Sequence, residues 1–132
     1  MIRTVGVLTL AVAVLVGCAS APPKAPPQAI AIDAIRMTAA GSFIDLRYRV
    51  LDAAKATELL GPKVRPRLID ERTGSVMAVP MTAKLGSLRQ TQGRQAPGRT
   101  YFILFANNGS VAPGSRVTAE IGPMVFKHLT VE

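Results

Sequence analysis

Phe43-Ile44-Asp45-Leu46-Arg47-Tyr48-Arg49-Val50 alternates apolar and polar residues from Ile44 onward. Successive side chains of a strand point to opposite faces, so Ile44, Leu46, Tyr48 and Val50 share one face and Asp45, Arg47 and Arg49 the other. A helix would scatter the same apolar residues around its circumference. The stretch therefore predicts a strand with one dry face and one wet face, which is how antiparallel sheets are built.

The flanking sequence extends that reading. Ile30, Ile32, Ile35 and Met37 give an earlier strand whose phase shifts near Ala34, as a bulge would cause. Asp52 can cap a short helix at 53–60, which Gly61-Pro62 ends. Val64 to Ile69 reads as a strand, Asp70-Glu71-Arg72-Thr73-Gly74 as a hairpin loop, and Val76 to Met81 as the returning strand. Tyr101-Phe102-Ile103-Leu104-Phe105 is continuously apolar, which predicts a strand over Arg99 to Ala106 at a sheet centre with both faces covered. Turns at Asn107-Asn108-Gly109 and Pro113-Gly114 precede a strand with Val117, Ala119 and Ile121 inward, and a last one spans Val125 to Val131. About seven short strands over residues 29–132 make a mainly β chain with a single antiparallel sandwich, immunoglobulin-like as first choice and a small barrel as second.

Composition narrows the chemistry. The chain has 132 residues, 16 Lys+Arg against 8 Asp+Glu, one Cys and one His. One Cys excludes an internal disulfide framework and a cysteine zinc cage, and one His excludes a multi-histidine metal centre. Hydrophobic residues at 48% exclude a wholly disordered chain.

Residues 1–17 read as an export signal. Thr4 to Gly17 is uncharged and follows Arg3. That is short of the ~20 residues a bilayer span needs, but it fits the apolar core of a secretory signal. It closes on Leu15-Val16-Gly17-Cys18, followed by Ala19-Ser20, and here the chain resembles the bacterial lipoprotein signal, or lipobox. The resemblance implies removal of residues 1–17, a diacylglycerol thioether on Cys18 and acylation of its new amine, a membrane anchor of two or three chains. Each buried methylene contributes ~0.8 kcal/mol, so that number of chains holds stably where one does not. Ala19 in place of an Asp implies transfer to the outer membrane, with the body facing the periplasm.

Residues 18–28 then hold the lipidated Cys and a tether, with four of the ten prolines between Pro22 and Pro27. At ~3.1 Å per residue such a segment reaches roughly 30 Å. The body at 29–132 resembles small periplasmic β-sandwich proteins of unassigned activity.

Losing Arg3 with the signal leaves 15 basic and 8 acidic residues, a charge of +7. Arg47 and Arg49 share one strand face and Arg65 and Arg67 another; with Arg89 and Arg94 they form a candidate surface for an anionic envelope component or partner protein. The competing reading is a set of solvated faces that blunt edge pairing. Nucleic acid is excluded by the compartment. Thr82 to Gly98 is long for a connection in a compact domain and so reads as a binding loop or as disorder, with Leu85 and Leu88 expected to pin one end to the core.

Met37, Met77, Met81, Met124 and His128 form a soft donor set that suits Cu(I), giving a copper-handling periplasmic domain as the alternative function. Met77 and Met81 lie ~13 Å apart along one strand, so ligation needs convergence from different strands, and Met is commonly core filler. No resident metal or cofactor is expected. No serine elbow, useful carboxylate pair or glycine-rich phosphate loop is present, so the chain reads as a non-catalytic binding or interaction module rather than an enzyme.

Overall fold

A computed structural model describes residues 28–90 and 94–132. Residues 1–27, with the lipobox, Cys18 and most of the proline-rich segment, lie outside the described residues, as do 91–93. In chain order the strands are β1 (Ile30–Thr38), β2 (Phe43–Val50), β3 (Arg67–Asp70), β4 (Val76–Ala78), β5 (Met81–Thr82), β6 (Gly86–Ser87), β7 (Thr100–Ala106), β8 (Arg116–Ile121) and β9 (Met124–Thr130), with one α-helix, α1 (Ala53–Leu59).

Two antiparallel sheets carry the fold, β1-β2-β7 and β4-β3-β8-β9, and β5-β6 is a small separate ribbon. The chain passes between the sheets after β2, after β4 and after β7, so neither sheet is a simple meander. Three strands against four around one core is the immunoglobulin-like sandwich, except that β4 joins the second sheet rather than the first. No closed barrel forms among the described residues.

The inward face of β2 is realised, with Ile44, Leu46, Tyr48 and Val50 all buried, while on the outer face Asp45 is buried as well, accepting from the Arg47 Nε. The four inward residues meet Tyr101, Ile103 and Phe105 of β7, and Leu68, Met77, Val117, Ala119 and Ile121 of the facing sheet, in one cluster. The phase shift in β1 is a register break between Ile32 and Ala34. The Asp52 carboxylate accepts the Lys55 N–H at 3.1 Å and caps α1 as its position predicts. Gly74, at φ 73, supplies the left-handed residue of the β3–β4 hairpin.

Three expectations change. β3 begins at Arg67 rather than Val64, and proline at 66 has no N–H to give a ladder. The expected strand from Val76 to Met81 divides at Val79-Pro80, so that its last residues leave the sheet and open the β5-β6 ribbon. β7 is not central: β2 is the middle strand, and the outer edge of β7 is taken by residues 88–90, where the Leu104 N–H donates to Leu88 O at 3.0 Å and the Gln90 N–H to Phe102 O at 3.1 Å. The apolar run of β7 is half-covered on its outer face because the Arg47 guanidinium lies 5.5 Å from the Phe102 ring centroid.

One end of the first sheet gathers three segments. Ala29 O accepts the N–H groups of Leu51 at 2.9 Å and Asp52 at 3.1 Å; Val50 N–H donates to Arg99 O at 3.2 Å, and Gly98 N–H to Val50 O at 2.9 Å. The first described residues therefore enter the sandwich at the same end of the first sheet as Gly98 and Arg99, across β2 from them.

Candidate functional site

The long connection from Thr82 to Gly98 is neither a plain loop nor anchored by its leucines. Leu85 is 75% exposed at the tip of the β5-β6 hairpin, and Leu88 is half-buried. Gly86 (φ 66) turns the hairpin, whose Thr82 hydroxyl accepts the Leu85 N–H at 3.0 Å, and the Leu88 N–H donates to Pro80 O at 3.1 Å. The chain then runs antiparallel to β7 with Arg89 directly opposite Ile103. Directly opposite residues of an antiparallel pair present their side chains to the same face. Ile103 faces the core, so Arg89 is carried inward with it.

Arg89, expected on the surface, is consequently 8% exposed. Its Nη2 donates to Gly61 O at 3.3 Å and Pro62 O at 3.4 Å, just past the end of α1, where outward-facing carbonyls favour a cation. Its Nε and Nη1 are buried without a hydrogen-bond partner, and no carboxylate pairs with it, among the described residues. Burial, with the nearby Arg65 guanidinium, holds its pKa below the ordinary arginine value. The Tyr48 ring stacks on Tyr101 at 5.7 Å between centroids, and its hydroxyl donates to Gln90 O at 3.3 Å. Burial first, and Tyr101 second, push the Tyr48 pKa up to about 12 against the pull of Arg89. The Tyr101 hydroxyl accepts the Ala96 N–H at 2.9 Å, and the Arg99 guanidinium sits 6.0 Å from its ring centroid. Gln95 is 3% exposed with its Oε1 unpartnered.

Beside Arg89 opens a cleft of about 410 Å³, lined by Ser87, Gln90, Arg94, Arg99 and Tyr101 among others. Three arginines are among its lining residues and no acidic residue is, though the Nε and Nη1 of Arg89 are closed off from it. Its volume falls in the range of small-molecule sites. Arg99 was not among the sequence candidates; the one signal was its position across Pro97-Gly98 from Arg94, a turn that folds two arginines toward one opening.

The other arginines are dispersed. Arg47 and Arg49 project from the outer face of the first sheet, Arg47 on Asp45 (2.8 Å) and Arg49 on Asp33 (3.2 Å). Arg67 projects from the second sheet and pairs with Glu120, and Arg65 is exposed just before it. Outer faces of packed sheets point apart, so these four do not make one patch. Of the six candidates, Arg89 and Arg94 share the cleft.

The soft donors are dispersed as well. Met77 is buried on β4, Met81 is 65% exposed on β5, and Met124 and His128 lie on β9, three strand spacings across the sheet from β4. At ~4.8 Å per spacing that separation exceeds any shared coordination sphere. His128 Nδ1 is engaged 3.0 Å from Glu71 Oε2. Among the described residues no three His, Cys, Asp or Glu side chains gather as a metal site, and no helix is long and apolar enough to cross a membrane. Comparison with known proteins finds no matching family model, curated protein or solved structure.

Proposed function

We propose that the protein is a lipid-anchored envelope lipoprotein, held through Cys18 and facing the periplasm from the outer membrane, whose sandwich is a non-catalytic module for an anionic envelope component. The observation that carries the binding role is the cleft at Arg89, Arg94 and Arg99, three cations with no acid among the lining residues. A solvated surface that merely keeps a protein soluble mixes both signs, as the Arg47–Asp45, Arg49–Asp33 and Arg67–Glu120 pairs do elsewhere on this molecule. The location rests on the Leu15-Val16-Gly17-Cys18 run and the uncharged stretch before it.

The test is Cys18→Ser in cells fed labelled palmitate. The wild type is expected to take up label and to mature before Cys18; the variant should do neither. Normal maturation of the variant with no label in the wild type would sink the anchor. The binding role is read separately, by flotation of the detergent-purified full chain with anionic vesicles.

A further inference from the structure

We infer that the cleft beside Arg89 is a site for a phosphoryl group, held by the guanidinium groups of Arg94 and Arg99 and the edge of Tyr101, with the charge of the buried Arg89 behind them. The inference rests on the reading of that cleft as the anion-binding face and names what the anion is.

The buried arginine comes first. A guanidinium removed from water and left without a counter-charge is costly, and proteins that bury one normally pair it. Arg89 has only two carbonyl oxygens, both at long range on one nitrogen, while Nε and Nη1 have no partner among the described residues. The Gly61 and Pro62 carbonyls give the cation partial charge but no counter-ion, and the neighbouring Ile103 and Tyr48 give none either. An anion in the adjoining cleft supplies that counter-charge at close range, without a bond to Nε or Nη1, which are closed off from the opening.

The choice of anion follows from the count. A carboxylate brings one negative charge and two oxygens. A phosphomonoester carries about −1.5 to −2 at neutral pH with three strong acceptor oxygens, closer to what two exposed guanidinium groups and a buried third charge can use. Arg94 and Arg99 have no carboxylate partner among the described residues, so their donors are available without breaking an ion pair. Ser87 and Gln90 add uncharged polar groups to the same lining. The cleft, at about 410 Å³, has room for more than a bare phosphate, and the exposed Leu85 at its rim offers an apolar contact for whatever bears the group.

Two sources share this chemistry: a free phosphate compound and the headgroup of a membrane lipid. The detergent-purified full chain is titrated with sodium phosphate and, at equal ionic strength, sodium acetate, while thermal unfolding is followed. In parallel it is floated with phosphatidylcholine vesicles containing either phosphatidic acid or, at matched surface charge, oleate. The double variant Arg94→Gln/Arg99→Gln changes only exposed side chains and should fold as the wild type does. Charge-assisted hydrogen bonds of this kind are each worth about tenfold or more in affinity, so the double variant should bind phosphate or phosphatidic acid at least ~10-fold more weakly.

Stabilisation by phosphate over acetate, lost in the variant, supports the site with a free compound. Preference for phosphatidic acid over oleate, lost in the variant and without an effect of free phosphate, supports it with a lipid headgroup. Equal binding to phosphatidic acid and oleate vesicles with no preference for phosphate overturns the phosphoryl assignment and leaves the anionic-partner reading standing. No binding to either vesicle and no effect of phosphate overturns both. Undiminished phosphate binding by the double variant removes it from this cleft.

Discussion

Glu71 holds together the far end of the second sheet. Its Oε1 accepts the His128 backbone N–H and the Thr118 hydroxyl, both at 2.8 Å, and its Oε2 faces the His128 ring. These bonds, the His128 N–H foremost, hold the Glu71 carboxyl down at about 2. His128 itself sits at φ 59, in the left-handed region that side chains avoid, where Lys127 and His128 together face the single residue Thr118. The glutamate thus secures a bulge that a glycine would usually occupy. A carboxylate with a depressed folded pKa contributes stability that is present above its unfolded value and lost as pH falls toward the folded one. The window runs from about 4.5 down to about 2. Urea midpoints of the wild type should fall across that window, and Glu71→Gln, which keeps an acceptor for the backbone N–H, should flatten this part of the profile while lowering stability at neutral pH. Parallel pH profiles for the two proteins would remove Glu71 from this role.

Among the elements, the β5-β6 hairpin does most to shape the cleft, because it delivers residues 88–90 to the edge of β7. Gly86 turns it at φ 66 with nothing within 4 Å of where a Cβ would stand. Gly86→Ala therefore meets no clash; its cost is the left-handed backbone alone, ~1–2 kcal/mol. We expect a drop in melting temperature of that size together with weaker phosphate stabilisation, as Ser87 and Arg89 lose their placement. Unchanged melting and binding would mean that the hairpin does not position the site.

Local pattern made some elements readable and pairing hid the others. β2, the bulge of β1 and the Asp52-capped helix follow from residues adjacent in sequence, so alternation and capping chemistry reveal them. The truncation of β3 is legible too, in Pro66, whose missing N–H outweighs the apolar pattern around it. β7 was different: a continuous apolar run does not say whether its outer face is covered by a second layer or by the Arg47 side chain lying on Phe102. Arg89 was the least legible, because nothing near it is apolar enough to predict burial. Its inward direction depends on pairing with Ile103, fourteen residues on, and no periodicity within 82–98 encodes that register.

At the scale of the whole molecule, charge is sorted by position. On the sheet faces Arg47, Arg49 and Arg67 are matched to acids, and exposed pairs of this sort typically stabilise by under ~1 kcal/mol. Arg36, Arg65, Arg116 and Lys127 also lack an ion pair among the described residues, but at the cleft three arginines line one opening without an acid. Attraction there should fade as salt shortens the Debye length from ~30 Å at 0.01 M to ~8 Å at 0.15 M.

The hydrogen bonds of Ala29 to Leu51 and Asp52, and of Val50 to Gly98 and Arg99, put residue 29 and the arginine opening at the same end of the first sheet, on either side of β2. With Cys18 held in a bilayer, a proline-rich leash of roughly 30 Å would keep that opening within reach of the headgroups of its own leaflet. A short leash converts encounter into an intramolecular event, at an effective concentration on the order of millimolar. Affinity that is negligible for a freely diffusing domain then suffices for near-constant occupancy. We accordingly expect the lipidated protein reconstituted in phosphatidic acid vesicles to show its cleft protected from arginine-modifying reagents, and the Cys18→Ser form mixed with the same vesicles to show it open. Equal protection of both forms would mean that occupancy owes nothing to the leash. Under the proposed anchor, acylation would act as an avidity device: removing it would empty the cleft without altering a single contact inside it.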